Sequence, residues 1–243
     1  MAQRGTCTVV VVGAGIVGVC IAYELSKRGI DTLLIDKDEP GSGCSFGNSG
    51  AISPSSVAPL AMPGVLASVP RMLCQPDSPL FLPWQYLPHA LPWLARFVWS
   101  SRRSAVERSA TRLAQIHEHA VSRHETLANE AGVPELLIKR GHLHLYANER
   151  ALKNDQAAWD LRERHGVAYS RIQRPGILEL EPHAPEGYQV GVYVENQATL
   201  RNPYRYVQAI FHKFTSNGGR FSQANVRAIK DTADGGWSIA TSE

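Results

Sequence analysis

Residues 8–12, Thr-Val-Val-Val-Val, form an unbroken β-branched run closed by Gly13, the pattern of a short strand buried on both faces. Apolar positions then recur at Ile16, Val17, Cys20, Ile21 and Leu25. Those intervals of three and four predict a helix, with Lys27 and Arg28 in its last turn and Gly29 as its stop. A second apolar strand follows over 30–36. Strand, helix and strand make a unit of about 30 residues, whose crossover should be right-handed and whose strands should run parallel.

Further along the pattern breaks up. Nine of the fifteen prolines fall between Pro54 and Pro92, which excludes long helices there and predicts irregular chain with short ones. Helical spacing returns over 91–97 and over 104–131, where Leu113, Ile116, Ala120 and Leu127 share a face and Gly132 ends the run. Leu143, Leu145 and Ala147 alternate with His142, His144 and Tyr146, which predicts a strand. A helix over 154–165 should stop at Gly166. Pro203 opens another through Phe214, with Tyr206, Val207, Ile210 and Phe214 on one face and Asn217-Gly218-Gly219 as its end. A strand over 221–226 comes next, then a hairpin pairing 226–230 with 237–240 around Asp234-Gly235-Gly236. No internal repeat is present.

Composition narrows the class without naming a partner. At 243 residues, 44% hydrophobic and 19% charged, the chain has material for one large or two small domains with a core. Disorder, collagen and coiled coil are excluded. A formal net charge of +3 is too small a surplus to imply nucleic acid. Cys7, Cys20, Cys44 and Cys74 stand in unrelated contexts with no CxxC pair, which suits packing thiols in a reducing compartment. Arg4 ahead of the apolar stretch 9–23 has the outline of a signal peptide. Gly13, Gly15 and Gly18 interrupt that stretch, and no small-x-small cleavage site follows. The expected compartment is therefore the cytoplasm, and no apolar run is long enough to predict a spanning helix.

The first chemical signal is Gly13-Ala14-Gly15-Ile16-Val17-Gly18, a GxGxxG motif. It follows a strand, opens a helix and is answered by Asp36 at the end of the next strand, 23 positions after Gly13. Gly13 permits the tight turn, Gly15 lets a pyrophosphate approach the backbone, and Gly18 lets the helix pack close to the strand. The helix N-terminus turns N–H groups and the positive dipole end toward the phosphates. Asp36 would accept from ribose hydroxyls, and the lack of an arginine in its place argues against a 2′-phosphate. FAD and NAD both fit this motif.

The segment Ser42-Gly43-Cys44-Ser45-Phe46-Gly47-Asn48-Ser49-Gly50-Ala51-Ile52-Ser53-Pro54 resembles the loop after the second strand in the FAD-dependent amino-acid oxidoreductases, particularly bacterial D-amino-acid dehydrogenases. In that family the loop runs along the pyrophosphate and ribityl chain toward the flavin ring. The residue types agree: Ser45, Asn48 and Ser49 offer short donors, and Gly43, Gly47 and Gly50 let backbone N–H groups reach a ligand. Phe46 and Ile52 are apolar anchors that a solvated linker does not need. The resemblance continues through 91–97, Arg140-Gly141-His142-Leu143, Leu178-Glu179-Leu180-Glu181-Pro182, Asn202-Pro203, Gly218-Gly219 and the strand to Val226.

The resemblance implies an α/β fold: a Rossmann-like FAD-binding domain, with a parallel sheet and a β-hairpin crossover, plus a partial α+β substrate domain. The bounds it implies are 1–84 and 199–243 for the cofactor domain, the latter part incomplete, and 85–198 for the substrate domain. The implied cofactor-binding set is Gly13, Ala14, Gly15, Ile16, Val17, Gly18, Asp36, Lys37, Cys44, Ser45, Asn48, Ser49, Gly50, Ile52 and the Val226 backbone beside the adenine. Sarcosine oxidase β-subunit and dimethylglycine dehydrogenase types carry a flavin-linked histidine in this loop; Gly47 stands there in this chain, so noncovalent FAD is implied. The implied reaction oxidises the α-C–N bond of a D-amino acid or related amine. Hydride passes to flavin N5 and the imine hydrolyses, with the protein mainly positioning the substrate.

No catalytic residue is assigned and no metal is expected. The implied partners are a small amino-acid substrate and an electron acceptor left open between a quinone chain and oxygen. Peripheral placement at the inner face of the cytoplasmic membrane is the variant of the cytoplasmic assignment. Full-length relatives are roughly half as long again or more, and Glu243 falls in the hairpin region. The expectation is a truncated flavoenzyme with an exposed apolar sheet edge: a fragment, a frameshifted product, or one half of a split enzyme whose missing elements a partner subunit would supply. The alternative is an inactive or partner-dependent FAD-binding fragment.

Other residues carry weaker signals. His117, His119 and His124 share a predicted helix without the inward carboxylates a metal needs. His142 and His144 share a strand face, expected to be solvated or to line the substrate. Cys44 is expected as a small packing residue. Trp93, Phe97 and Trp99, with Arg96, Arg102 and Arg103, fit a helix covering the substrate domain better than an anionic membrane anchor.

Overall fold

The computed structural model describes residues 6–64 and 83–242. In chain order the elements are β1 (Val9–Val12), α1 (Ile16–Lys27), β2 (Thr32–Asp36), β3 (Ala51–Ile52), α2 (Leu87–Ser100), α3 (Arg103–His117) and α4 (Ala120–Glu130). There follow β4 (Leu137–Ile138), β5 (His142–Tyr146), α5 (Glu149–Asn154), α6 (Gln156–Arg164), β6 (Ser170–Gln173) and α7 (Arg174–Leu180). The order closes with β7 (Val190–Val194), β8 (Ala198–Leu200), α8 (Pro203–Ser216), β9 (Arg220–Gln223), β10 (Asn225–Asp231) and β11 (Trp237–Ser242). Two compact units form: Met1–Ile52 with Ser122–Lys139 and Ala198–Glu243, and Ser53–Val121 with Arg140–Gln197. The segment Ser122–Lys139 thus packs in the first unit, inside the stretch assigned from sequence to the substrate domain.

The first unit is built on a parallel sheet in the order β1-β2-β9, with Val9 beside Thr32 and Leu33 beside Arg220. The strand–helix–strand expectation holds: α1 ends at Gly29, whose φ of +70° lets its N–H bond back to the Ser26 carbonyl. Helix α8 buries the expected face, since Tyr206, Val207, Ile210 and Phe214 are all fully enclosed. Such side chains stabilise by about 1.5–3 kcal/mol each. Asn202 caps this helix by accepting from Arg205 N–H at 3.0 Å. A short antiparallel sheet β3-β8-β4 and the hairpin β10–β11 complete the unit.

The second unit carries an antiparallel sheet in the order β5-β7-β6. Leu152 and Trp159 pack on Val190, Val192 and Val194 of its central strand. A second cluster joins Val106, Ala110 and Leu161.

Several expectations need correction. Strand β1 is not buried on both faces: it lies at the sheet edge among the described strands, and Val12 is 48% exposed. The helix expected over 104–131 is two, divided at Glu118 and His119 with neither proline nor glycine to signal it. Its buried residues are Val106, Ala110 and Ala128, whereas Ile116 is exposed. A fourteen-residue helix, α2, starts inside the proline-rich stretch. It takes Pro88 in its first turn, where no N–H is needed, and Pro92 inside. The rest of that stretch, 65–82 with Cys74, lies outside the described residues. The helix expected over 154–165 is preceded by a separate turn, α5, that Asn148 caps. The strand expected over 221–226 breaks at Ala224, so Val226 belongs to the hairpin. Strand β7 escapes the pattern because Gly191 interrupts a short apolar run; a Cβ there would sit 3.0–3.2 Å from Ile172, Leu143 and Ile177.

Candidate functional site

The carboxyl ends of β1, β2 and β9 face one side of the parallel sheet, where open α/β sheets bind ligands. The chain turns there at Gly13, whose φ is +104° and whose N–H donates to the Ile35 carbonyl at 2.7 Å. A Cβ on Gly18 would lie 1.8 Å from the Gly13 carbonyl oxygen. The third glycine therefore sets the close approach of α1 to the turn. No acidic residue stands in the first turn of α1, so the helix brings no negative charge of its own to its positive dipole end.

Two side chains reach this turn. Asp36, at the end of β2, accepts from Ala14 N–H at 2.6 Å through Oδ2 and from Asp38 N–H at 3.0 Å through Oδ1. Ser45 is buried and its Oγ accepts from Ile16 N–H at 3.0 Å, in effect capping α1. That bond uses a lone pair and leaves the hydroxyl as a donor. The structure thus gathers Gly13, Ala14, Gly15, Ile16, Val17, Gly18, Asp36 and Ser45 around one turn. Gly15 faces Ser45, since a Cβ built on it would sit 3.6 Å from Oγ.

The rest of the loop is organised by its own side chains. Asn48 Nδ2 donates to the Cys44 carbonyl at 3.1 Å and its Oδ1 accepts from Gly50 N–H at 2.8 Å. Half of its bonding capacity, one N–H and one lone pair, therefore folds the loop. Gly50 has a φ of +65°, and a Cβ there would meet the Leu200 carbonyl oxygen at 2.3 Å. Its carbonyl accepts from Leu200 N–H at 2.8 Å, which leads into β3 and the buried Ile52 paired with Ala198. Ser49 is exposed. Cys44 is exposed too, against the expectation of a packing residue. Phe46 is 64% exposed and meets the Tyr204 ring in a T-shaped contact with centroids 5.5 Å apart, so it is a weak anchor.

Lys37 is exposed beside Asp38, and its carbonyl accepts from Gln223 Nε2 at 3.1 Å. Ala224 N–H donates to the Asp36 carbonyl at 2.8 Å, which brings Val226, two residues on, to the Asp36 end of the sheet. Sequence reasoning missed Gly41. Its N–H donates to the Ala14 carbonyl at 2.8 Å, and its missing side chain lets Val207 of α8 approach a would-be Cβ to 3.0 Å. The Pro40-Gly41 dipeptide is the signal that marks it.

Other titratable groups lie outside this turn. His124 Nδ1 meets Tyr206 Oη at 3.1 Å; burial holds the imidazole below its ordinary value and pushes the phenol well above its own. Burial, with help from Glu24, pushes the Cys20 thiol up to about 11. In the second unit His144 is not solvated: its ring meets the Trp159 edge at 5.1 Å, and burial, then Arg162, lowers its pKa. Tyr146 donates to Asp155 at 2.6 Å and accepts from Trp159 Nε1 at 2.8 Å. Trp93 and Trp99 of α2 are each 63% exposed, and Arg102 stacks on Trp99. No described helix is long and apolar enough to cross a membrane.

Comparison with known proteins gives a consistent likeness. A family model described as FAD dependent oxidoreductase matches residues 8–243. The D-amino-acid oxidase of Bradyrhizobium diazoefficiens is 37% identical over 225 residues, covering 91% of this chain and 53% of its own length. The D-amino acid dehydrogenase 2 of Ralstonia nicotianae is 38% identical over 178 residues, 72% of this chain and 41% of its own. The structure of glycine oxidase from Bacillus cereus aligns with a TM-score of 0.63 at 16% identity, covering 98% of this chain and 53% of that one. The chain spans about half the length of the curated relatives it matches.

Proposed function

The chain belongs to the FAD-dependent oxidoreductase family, and from that footing we propose that it binds FAD noncovalently and serves the oxidation of D-amino acids, or related amines, at the α-C–N bond. The observation that carries the reading is the meeting of Gly13–Gly18 with Asp36 and Ser45 at the carboxyl ends of β1 and β2. The residues fit the cofactor: Gly13 and Gly15 leave space where a backbone must approach a pyrophosphate. Asp36 has two carboxylate oxygens, each carrying one N–H bond, and so retains lone pairs for ribose hydroxyls. When bound, FAD supplies the acceptor for the substrate's α-hydrogen and its electron pair.

The part played by this chain is to hold and orient. The α1 N-terminus favours the diphosphate charge, Asp36 fixes the ribose, and Ser45 with the loop to Ile52 lines the path toward the ring. Lys37, Cys44, Asn48, Ser49, Gly50 and the Val226 backbone complete the proposed set. The D-amino acid preference rests on the names of the two curated relatives. Amino-acid substrate, acceptor and a position at the inner face of the membrane all belong to this proposal.

A second reading, FAD binding without turnover by this chain alone, is favoured by its coverage of about half the relatives' length. Purified protein incubated with FAD should keep a bound-flavin spectrum, and anaerobic addition of D-amino acids should bleach it. Retained but unbleached flavin supports the second reading. Retention of NADH in place of flavin would overturn the cofactor.

A further inference from the structure

Helix α2 carries two apolar stripes. Leu87, Ala90, Leu94, Phe97 and Val98 are half-buried and lay it on the second unit. Pro88, Leu91, Pro92, Ala95 and Trp99 recur at intervals of three and four on its outward side and are all exposed, Leu91 at 54% and Trp99 at 63%. No residue of α2 is fully buried, so the helix does not close over the unit as its sequence suggested. A surface helix ordinarily turns charged and polar residues outward. This one turns out a second apolar stripe, and contiguous exposed apolar surface marks an interaction site.

The charges beside the stripe say what it meets. Arg96, Arg102 and Arg103 are exposed, and no Asp or Glu occurs between Asp77 and Glu107. Arg102 lies over the Trp99 ring, its guanidinium carbon 3.2 Å from the centroid, so a cation stands at the end of the stripe. Five side chains on one helix fall far short of the about 20–30 residues a side that a stable protein interface takes. A bilayer surface asks for less: apolar side chains that enter the acyl boundary and cations that meet the headgroup phosphates. Tryptophan suits that boundary as an amphipathic ring, and arginine by reaching outward on its apolar stem.

We infer that α2 docks on an anionic lipid surface, with Leu91 and Trp99 entering the acyl boundary and Arg96, Arg102 and Arg103 at the headgroups. Around the helix, Trp93 lies beyond Arg96 from Trp99 and stays in water. The docking gives a surface to the membrane position proposed above and rests on that reading, but it needs no bound cofactor.

The test is co-sedimentation of the full chain with vesicles of phosphatidylcholine alone and of phosphatidylcholine with phosphatidylglycerol in equal parts, FAD retention being read on the same protein. The chain should pellet with the anionic vesicles only, and raised salt should release it. Arg96→Gln/Arg103→Gln should bind about thirtyfold more weakly, about fivefold for each arginine lost. Leu91→Ser/Trp99→Ser should bind about tenfold more weakly or worse. All four side chains are exposed, so thermal unfolding of both variants should match the wild type. Bromine-labelled phosphatidylcholine in the anionic vesicles should quench the wild-type fluorescence, and Trp99→Phe should lose more of that quenching than Trp93→Phe. Equal pelleting with neutral vesicles, or undiminished binding by either double variant, would overturn the docking. So would a lipid-free dimer that Leu91→Ser/Trp99→Ser dissociates, which would assign the stripe to a second copy of the chain. A chain that keeps FAD and ignores both vesicles removes the docking alone, whereas one that docks without holding flavin removes the cofactor reading and leaves the docking.

Discussion

The Asp36 carboxylate accepts a 2.6 Å hydrogen bond from the backbone N–H of Ala14, inside the glycine turn it faces. The acid at the end of β2 therefore holds the turn in shape before any ribose is present. Ala14 is buried, so its N–H has no water to fall back on. Asp36→Asn keeps one acceptor oxygen but sets an NH2 group against either Ala14 or Asp38. It should cost about 1–3 kcal/mol of stability, read as a lower denaturation midpoint, together with weaker FAD and ADP binding. Loss of ligand affinity at unchanged stability would separate the two roles and deny the turn-holding one.

Gly18→Ala places a methyl group 1.8 Å from the Gly13 carbonyl oxygen, an overlap that only a shift of α1 away from the turn relieves. Overpacking of this kind costs about 1–3 kcal/mol, and the turn opens where the diphosphate should bind. Gly187→Ala, away from the turn, meets nothing within 4 Å and should change neither stability nor FAD affinity by more than about 0.5 kcal/mol. Urea denaturation and FAD titration of the pair check this contrast.

The sequence made the glycine turn legible because each part, Gly13, Gly15, Gly18 and Asp36, has a local signature at a fixed spacing. Helix α8 was equally plain, since Tyr206, Val207, Ile210 and Phe214 recur at helical intervals and are all buried. Less legible was whatever depends on a distant partner. Gly41 matters because Val207 approaches it, and Gly191 because Ile172 and Leu143 do; no pattern near either residue announces its neighbour. The roles of loop residues were also hidden. Asn48 reads as a ligand donor, yet its amide bonds Cys44 and Gly50.

His124 and His144 are both held below the ordinary histidine value of 6.5, chiefly by burial. The unfolded chain takes up protons at higher pH than the folded one. Each ring thus contributes stability that is complete above pH 6.5 and is lost as pH falls through the lower folded value. Glu107 and Glu130 are also lowered, by Arg164 and Lys27, but their share is lost only in the carboxylate range. Denaturation midpoints should therefore fall between about pH 7.5 and pH 5.5, and the double variant His124→Asn/His144→Phe should flatten that fall. An unchanged slope would assign the titration to another group.

The two cysteines of the first unit nearest the turn differ in a way that reports on the loop. Cys20 is half-buried with its thiol pushed up to about 11, against an ordinary 9.0, so its thiolate is about a hundredfold scarcer at pH 8. Cys44 is exposed and neighbours Ser45, the residue that caps α1. Under a limiting alkylating reagent, peptide mapping by mass spectrometry should find Cys44 modified quickly and Cys20 only after unfolding. If the loop lies along the cofactor, saturating FAD should slow Cys44 alkylation by about tenfold or more, because the ligand both covers the sulfur and fixes the loop. ADP, which ends at the diphosphate, should protect it less. The Cys20 rate should follow global stability alone and so act as an internal reference. An unaltered Cys44 rate at saturating FAD would mean that the loop borders no ligand. The site would then shrink to Gly13–Gly18 and Asp36.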